Sequence, residues 1–320
     1  PTTKDYKKAF YMRKWILLLL MSLLVAPAAA QDADDDLLHI PSPERWEDQV
    51  IYFVMIDRFN DGDPSNNNQF LDEYDPEDGS KFQGGDLQGV IDQIDYIQGL
   101  GATAVWITPP VANQWYDAQV NFGGYHGYWA EDFTAVDAHF GDLETYKDLS
   151  RSLHGEGMYL IQDIVTNHTG NFFTYIDAEG DNNWNPDDPT DGYRRNPGSV
   201  PITSPSQSPF DLNDPRNPEH LEAGIYNWTP PIEDYQDPDQ QFEWALADLD
   251  DLNTENPVVR DTLKEAYSYW IEEVGVDAFR VDTVLYVSHD FWNDFMHAED
   301  GILAAAESTG RDNFFAYGEA

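Results

Sequence analysis

Residues 158–168 read MYLIQDIVTNH, an apolar run that ends in a group of polar side chains. A short run of this kind, bounded by polar residues, predicts a buried strand. Four further apolar runs have the same character: residues 50–56, 104–107, 278–281 and 314–317. Because helical patterns separate these runs, we predict that the strands pair in parallel within βαβ units.

Helical patterns fill the intervals between the predicted strands. They cover four stretches: residues 87–100, 143–153, 257–274 and 291–306, the last in one or two pieces. Asp86 is a suitable N-cap for the first of these helices. Five strands connected in this way fit either a doubly wound sheet or an incomplete barrel.

Residues 169–250 break the alternation of strands and helices. They are rich in Asp, Asn, Pro and Gly, with scattered aromatic residues. A structureless loop of this length is implausible inside a compact domain, so we predict a small inserted subdomain.

The composition restricts the classes of partner. The 320 residues include 60 acidic and 17 basic side chains, and the net charge is −43. Such a surface repels nucleic acid and anionic lipid, and favours a neutral or cationic partner or divalent metal. Adaptation to high salt is an open alternative.

No cysteine is available for disulfides. The 10 Trp, 18 Tyr and 17 Phe exclude a disordered chain and fit a large core or sugar-stacking platforms.

The first 30 residues have the pattern of a secretory signal peptide. Met12-Arg13-Lys14 opens a basic stretch before an apolar run over 15–25, and the small residues APAAA follow at 26–30. The apolar run is too short for a membrane anchor, which needs about 20 residues. We therefore predict a secreted or periplasmic protein, cleaved after Ala30.

Three carboxylates lie at or just beyond the ends of predicted strands: Asp163, Asp282 and Glu319. Parallel α/β folds place active sites at this end of the strands, although any single Asp there could simply cap a helix. Arg280 lies on the same side of the extended chain as Asp282 and would hold its carboxylate ionised. A carboxylate that faces a carboxylic acid is what glycoside cleavage requires.

These stretches resemble the signature regions of the α-amylase superfamily. Its first three regions resemble DIVTNH (163–168), FRVDTV (279–284) and GE (318–319). Its motif near the end of the inserted domain resembles LADLDDLN (246–253), and its substrate-contacting segment resembles YHGYW (125–129). The matches occur in the family's order along the chain.

The resemblance implies a (β/α)8 TIM barrel, here truncated after about the fifth strand, with a small domain inserted after strand 3. We divide the chain into an upstream and signal segment (1–30), a first part of the barrel (31–168), the inserted domain (169–250) and a second part of the barrel (251–320). Strands six to eight and the family's third acidic residue would lie beyond residue 320. We therefore expect residues 31–320 alone to be inactive and poorly soluble.

The resemblance also implies a retaining hydrolase that cleaves α-1,4-glucosidic bonds of starch, maltooligosaccharides or cyclodextrins by double displacement. Asp282 would be the nucleophile, and Glu319 the proton donor and later the base. Five further residues would contact the sugar or support the site: His126, Tyr128, Asp163, His168 and Arg280. In this assignment, Arg280 orients the nucleophile, Tyr128 stacks on the sugar and Asp163 supports the site without reacting.

The chain departs from many α-amylases after the nucleophile, where Leu285 and Tyr286 replace a Lys-His pair that binds sugar on the leaving-group side. Two alternatives therefore stay open. One is a transglycosylase similar to cyclodextrin glucanotransferase, and the other is a non-catalytic glucan-binding relative.

A loop at 61–67, DGDPSNN, places side-chain oxygens at positions that suit calcium, although a polar turn is the simpler interpretation. Together with FQGGD at 82–86, it resembles the amino-terminal calcium site of cyclodextrin glucanotransferases. The resemblance implies six ligands: Asp61, Asp63, Asn66, Asn67, the carbonyl of Gly84, and Asp86. A second family site implies Asn167 and Asp251, but its His ligand falls at Tyr286.

Overall fold

A parallel sheet of five strands forms the centre of the fold. The computed structural model describes residues 37–69, 72–175, 185, 187–198 and 200–319. The strands in this part of the chain are β1 (Ile51–Val54), β2 (Ala104–Ile107), β3 (Val111–Asn113), β4 (Tyr116–Asp117), β5 (Phe122–Gly123), β6 (Ala130–Val136), β7 (Tyr159–Ile164), β8 (Phe173–Tyr175), β9 (Tyr193–Arg195), β10 (Ala278–Val281) and β11 (Phe315–Gly318). The helices are α1 (Leu87–Asp92), α2 (Ile94–Gly99), α3 (Leu143–Gly155), α4 (Pro218–Ala223), α5 (Pro238–Glu243), α6 (Pro257–Glu273), α7 (His289–His297) and α8 (Ile302–Ser308). Short 3₁₀ helices cover Trp46–Asp48, Ile56–Arg58 and Val284–Tyr286.

The central sheet has the strand order β1-β2-β7-β10-β11, and every neighbouring pair is parallel. The five predicted strands and their parallel pairing are confirmed. The described residues form an open sheet with β1 and β11 at its edges, and they contain no closed eight-stranded barrel.

The two faces of the sheet follow the period-two alternation of strands. On one face, Val105, Leu160 and Phe279 belong to the main hydrophobic cluster, which includes buried residues of α3 and α6. On the other face, Ala104, Ile161 and Ala278 form a small cluster with Trp46. Asp163 and Arg280 lie two residues beyond Ile161 and Ala278. The second face therefore carries Asp163 and Arg280.

The predicted helix over 87–100 is two helices in the structure. Gln93 separates α1 from α2 with φ −112° and ψ 11°, outside the helical region. The carboxylate of Asp86 accepts the backbone N–H of Gly89 and caps α1, as predicted. The stretch over 291–306 also forms two helices, α7 and α8, which agrees with one of the two expected forms.

Strand β1 is shorter than the predicted run over 50–56, because the chain turns at Asp57. This buried carboxylate accepts the backbone N–H groups of Gln83 and Gly84. The contact draws the chain into a 3₁₀ turn and fixes the 82–86 segment against the sheet.

The stretch 169–250 contains only short elements among its described residues, including the β8–β9 hairpin, α4 and α5. A cluster of aromatic side chains forms its interior: Phe173, Tyr193, Tyr226 and Trp228. Backbone hydrogen bonds from Thr169 to Asp250 and from Leu252 to Asn167 join the two ends of the stretch. This organisation fits an inserted subdomain, and the division of the chain into domains stays a prediction.

None of the helices described is long and apolar enough to cross a membrane. The proposed signal segment and its cleavage position after Ala30 lie outside the described residues. Its assignment therefore still depends on the sequence pattern.

A buried charge cluster closes the sheet at the end opposite Asp163. Asp277, directly before β10, accepts a hydrogen bond from Arg311 Nε at 3.0 Å and one from the backbone N–H of Leu160. His154 Nε2 lies 2.8 Å from Asp277 Oδ2, whereas the Arg311 bond is to Oδ1, and Asp277 is fully buried. Arg311 also donates to the carbonyls of Leu38 and Gly275. The cluster thus joins α3, β7, β10 and the segment before β1.

We expect Asp277→Ala to lower the free energy of unfolding by about 3–5 kcal/mol, because it leaves the Arg311 guanidinium buried without its carboxylate. Urea denaturation followed by circular dichroism measures the change. Glu144→Ala, which removes an exposed partner of Arg151, is the matched control and leaves stability nearly unchanged. Equal stability of the two variants would contradict this account of the cluster.

Candidate active site

The strand register brings the predicted site residues together. Arg280 on β10 is directly opposite Asp163 on β7 and Tyr317 on β11. Asp282 and Glu319 each continue the ladder past the strand ends: the Asp282 N–H donates to the Ile164 carbonyl and the Glu319 N–H to the Val281 carbonyl, both at 2.9 Å. The backbone therefore fixes both carboxylates at the carboxyl edge of the sheet.

Arg280 bonds all three carboxylates of this edge. Its Nη1 lies 2.9 Å from both oxygens of Asp163 and 3.0 Å from Oδ1 of Asp282. Its Nη2 lies 2.6 Å from Oε2 of Glu319. The guanidinium is buried. One guanidinium thus holds three carboxyl groups together at this edge of the sheet.

Asp163 is fully buried and surrounded by donors. Besides Arg280, its Oδ2 accepts the Trp106 indole N–H at 3.1 Å and the Tyr128 hydroxyl at 2.8 Å. Burial raises the pKa of Asp163 to about 7, against the opposing effects of Arg280 and Tyr128. These contacts fit the predicted supporting position of Asp163.

Asp282 and Glu319 occupy different environments. Asp282 is 9% exposed, and burial raises its pKa to about 6, with Arg280 opposing this rise and Glu319 adding to it. The side chain of Glu319 is 57% exposed. At neutral pH Asp282 is therefore ionised, while Glu319 faces solvent beside it.

The three predicted sugar-contacting rings lie next to one another. Tyr128 stacks on His126 with 5.7 Å between ring centroids, and the Tyr128 N–H donates to His126 Nδ1 at 3.1 Å. Burial lowers the pKa of His126 to about 3 and that of His168 to about 4, so both rings are neutral at pH 7. Since Nδ1 of His126 accepts, its proton resides on Nε2.

His168 is the most enclosed of the predicted sugar contacts. Its Nδ1 lies 3.1 Å from Asn167 Oδ1 and its Nε2 lies 3.2 Å from the Tyr128 carbonyl. Only 1% of the residue is exposed. His168 therefore supports the backbone of Tyr128, and a contact with sugar stays a prediction.

Sequence reasoning missed Trp106 and Arg58. Trp106 lies two residues after Ala104, on the polar face of the sheet, so the period of β2 could have identified it. Arg58 stacks over the Tyr125 ring at 3.6 Å and pairs with Asp57 at 2.9 Å, which supports the segment that carries His126. No local sequence pattern predicts the contact of Arg58 with Tyr125, because the two residues are far apart in the chain.

The loop at 61–67 brings several of the predicted calcium ligands close together. The side-chain oxygens of Asn66 and Asn67 are buried and lack hydrogen-bond donors. The Asn67 amide donates to Asp61 Oδ2 at 2.7 Å, and a Cβ on Gly84 would lie 2.8 Å from that amide nitrogen. Oδ1 of Asn66 and Oδ1 of Asn67 thus lack donors near the Asp61 carboxylate, and such an arrangement is suited to a bound cation.

Asp86 and Asp63 have further contacts in this loop. Asp86 accepts the backbone N–H groups of Gly62, Asp63 and Gly89, so it anchors the loop as well as capping α1. Asp63 Oδ1 accepts from Ser65. No group of three or more His, Cys, Asp or Glu side chains suited to a metal occurs in the described ranges, so a site here needs amide and carbonyl oxygens.

The second predicted calcium pair, Asn167 and Asp251, is also in contact. The Asn167 amide donates to Asp251 Oδ1 at 2.9 Å, and the Asn227 amide donates to Oδ2 at 2.7 Å. The Tyr286 carbonyl lies 3.4 Å from the same Asn167 amide. Because amide donors already satisfy the buried Asp251, nothing in this pair requires a cation, and the second site stays a prediction.

Comparison with known proteins agrees with this geometry. Residues 53–311 match the family model "Alpha amylase, catalytic domain". The chain is 36% identical to an α-amylase of Streptomyces lividans, over 77% of this chain and 28% of that protein. It is 34% identical to a cyclomaltodextrin glucanotransferase of Klebsiella oxytoca, over 85% of this chain and 37% of that protein. The chain thus spans about a third of the length of these relatives.

Among solved structures, an Anoxybacillus α-amylase is similar with a TM-score of 0.63 and 33% identity, over 87% of this chain and 48% of that one. The solved α-amylase-family structures that the chain resembles are (β/α)8 barrels, and the five-stranded parallel sheet is consistent with a part of such a barrel. The chain belongs to the α-amylase catalytic-domain family, glycoside hydrolase family 13.

Proposed function

We propose that this protein is a secreted retaining glycosidase that cleaves α-1,4-glucosidic bonds of starch, maltooligosaccharides or cyclodextrins. The observation that carries the proposal is the contact of one buried Arg280 with both Asp282 and Glu319 at the carboxyl edge of a parallel sheet. Such a pair of carboxyl groups meets the needs of double displacement. The relatives named above, an α-amylase and a cyclomaltodextrin glucanotransferase, support α-glucan as the substrate class.

Asp282 is the nucleophile in this proposal. It is ionised at neutral pH, and a hydrogen bond from the Arg280 guanidinium to Oδ1 orients it. Asp163 is less suited, because Arg280, Trp106 and Tyr128 enclose its carboxylate. The Asp282 oxygen attacks the anomeric carbon and forms a glycosyl ester as the glycosidic C–O bond breaks.

Glu319 is the general acid and base. It donates its proton to the departing glycosidic oxygen in the first step, so the leaving sugar departs as a neutral alcohol. In the second step its carboxylate accepts a proton from water, whose oxygen attacks the anomeric carbon and displaces Asp282. Exposure of its side chain leaves room for both the leaving group and water. Two inversions give net retention.

Neutral rings bind the sugar beside these carboxylates. Tyr128 offers a face for stacking, while its hydroxyl is held by Asp163. The Nε2–H of His126 is available as a donor to a sugar hydroxyl. His168 fixes the Tyr128 backbone and is the third member of the group.

A transglycosylase similar to cyclodextrin glucanotransferase is the second candidate. The similarity to the Klebsiella oxytoca protein and the 61–67 loop favour it. Leu285, which is 53% exposed in the turn after the nucleophile, adds apolar surface beside the site. Measuring the ratio of transfer to hydrolysis with glucose as an added acceptor distinguishes the two. The intact Asp282, Glu319 and Arg280 disfavour a non-catalytic glucan-binding protein.

We also propose that calcium binds the 61–67 loop. Asp61, Asp63, Asn66 and Asn67 would hold it, with the Gly84 carbonyl and Asp86 completing or supporting the set. The orphaned oxygens of Asn66 and Asn67 support this proposal. The ion would stabilise the loop that packs against α1.

Asp282→Asn and Glu319→Gln should each lower kcat on starch by about 10³-fold or more in the intact protein, because one removes the nucleophile and the other the proton donor. Asp290→Asn, an exposed change on α7, is the control and keeps full activity. Proton NMR of the first products should show the α anomer. Initial formation of the β anomer would rule out double displacement.

The fall of kcat/KM on the acid side of the pH profile should have its midpoint near pH 6, because Asp282 titrates there and only its ionised form attacks. Its pKa is raised, so activity is lost as pH falls through about 6 rather than through about 4, where an ordinary Asp titrates. Initial rates between pH 4 and 8, at substrate far below KM, measure this midpoint. A midpoint near 4, with folding verified by circular dichroism, would contradict the buried state of Asp282.

EDTA should lower the melting temperature and calcium should restore it, because a ligand that binds only the folded state stabilises that state. Asp61→Ala combined with Asp63→Ala removes this response, whereas the exposed control Asp95→Ala retains it. Differential scanning calorimetry measures all three proteins. A full calcium response in the double variant would place the ion elsewhere.

A further inference from the structure

Thr283, the residue directly after Asp282, has a left-handed backbone with φ 50° and ψ 32°. This conformation is uncommon for any residue other than glycine and is an outlier for a β-branched one. Its hydroxyl is also buried without a hydrogen-bond partner. The chain thus maintains an unfavourable turn next to its catalytic carboxylate, and a purely structural turn could use glycine or asparagine.

The left-handed turn determines where Val284 lies. It converts the end of β10 into the 3₁₀ turn Val284–Tyr286, in which the Tyr286 N–H donates to the Thr283 carbonyl at 2.9 Å. The Trp292 indole N–H donates to the Val284 carbonyl at 3.2 Å. The position of Val284 is therefore fixed by the 3₁₀ turn and by the hydrogen bond from Trp292 on α7.

The Val284 side chain packs directly on Gly318, the residue before Glu319. A Cβ on Gly318 would lie 2.4 Å from Cγ1 of Val284, 2.7 Å from its Cβ and 2.9 Å from Cγ2. The backbone of Gly318 does not have positive φ, so any residue could adopt its conformation. The space that Val284 fills is therefore what requires glycine there.

We propose that Val284 is a positioning residue that sets the separation of the Asp282 and Glu319 carboxyl groups by packing against Gly318. The inference rests on the proposed function. Val284 lies two residues after Asp282, and Gly318 lies one residue before Glu319, so their contact joins the two backbone segments that carry the reacting groups. Retention requires the two carboxyl groups about 5–5.5 Å apart, and an error of about 1 Å can cost 10²-fold in rate.

A size-exchange experiment in the intact protein tests this role. We expect Gly318→Ala to lower kcat on maltooligosaccharides by about 10–100-fold while KM changes little, because the added methyl separates the carboxyl groups. Val284→Gly removes all three close atoms, so the double variant should regain at least tenfold over Gly318→Ala. Val284→Ala retains the Cβ at 2.7 Å and should restore less. Gly155→Ala is the control, because its added Cβ meets nothing within 4 Å.

A second readout does not depend on activity. The Asp282 carboxyl can be titrated by carbon-13 NMR in the wild type and the three Gly318 and Val284 variants. Because Glu319 raises the pKa of Asp282, moving Glu319 away in Gly318→Ala should lower that pKa, and the double variant should restore it. A change that only loosened the fold would lower the melting temperature without this reversible shift.

The outcomes separate the two proposals. If the wild type cleaves α-glucan and needs Asp282, but Gly318→Ala is neutral or is not rescued, Val284 does not position the carboxyl groups. If the Asp282 titration is the same in all variants, the inference fails whether or not the protein is a hydrolase. If the titration responds as expected but the wild type leaves α-glucans intact, the positioning stands and the proposed function fails.

Discussion

The buried guanidinium of Arg280 is the interaction on which this site depends. It contacts Asp163, Asp282 and Glu319 from three adjacent strands, and the burial of Arg280, Asp163 and Asp282 limits the screening of their charges by water. A buried cation without its anions is strongly destabilising, and so are buried anions without their cation. Folding of this sheet edge therefore requires all the partners to be in register, which couples the stability of the strand ends to the geometry of the site.

Neighbouring side chains at the carboxyl edge of the sheet supply further hydrogen-bond donors to Asp163. Trp106 and Tyr128 complete the shell of Asp163, and His168 holds the backbone of Tyr128. Asp282, in contrast to Asp163, is ionised at neutral pH and is bonded by the guanidinium at one oxygen. Hydrogen bonds thus fix the side chains of Trp106, Tyr128 and His168 around the site. Accurate positioning of reactive groups needs supporting residues that are fixed in this way.

The sequence predicted the sheet and the positions of its three carboxylates, because strand ends and acidic residues are local features. It did not predict the break at Gln93, where a single residue leaves the helical conformation within a continuous apolar pattern. It also missed Arg58 over Tyr125 and the contact of Val284 with Gly318, since both join residues distant in sequence. For His168, the motif indicated a site residue, but its enclosure by Asn167 and Tyr128 depends on packing that no motif encodes.

Strand β10 has buried charges at both ends and only apolar residues or Arg280 between them. Asp277 at one end contacts Arg311 and His154, while Asp282 at the other end contacts Arg280. A slip of β10 by two residues would keep each side chain on its face of the sheet, so the apolar pattern alone opposes it weakly. The same slip would move Asp277 by about 6.6 Å, which separates it from both fixed partners. The charges at the amino end therefore fix the register that places Asp282 at the carboxyl end, and a cluster remote from the site contributes to its geometry.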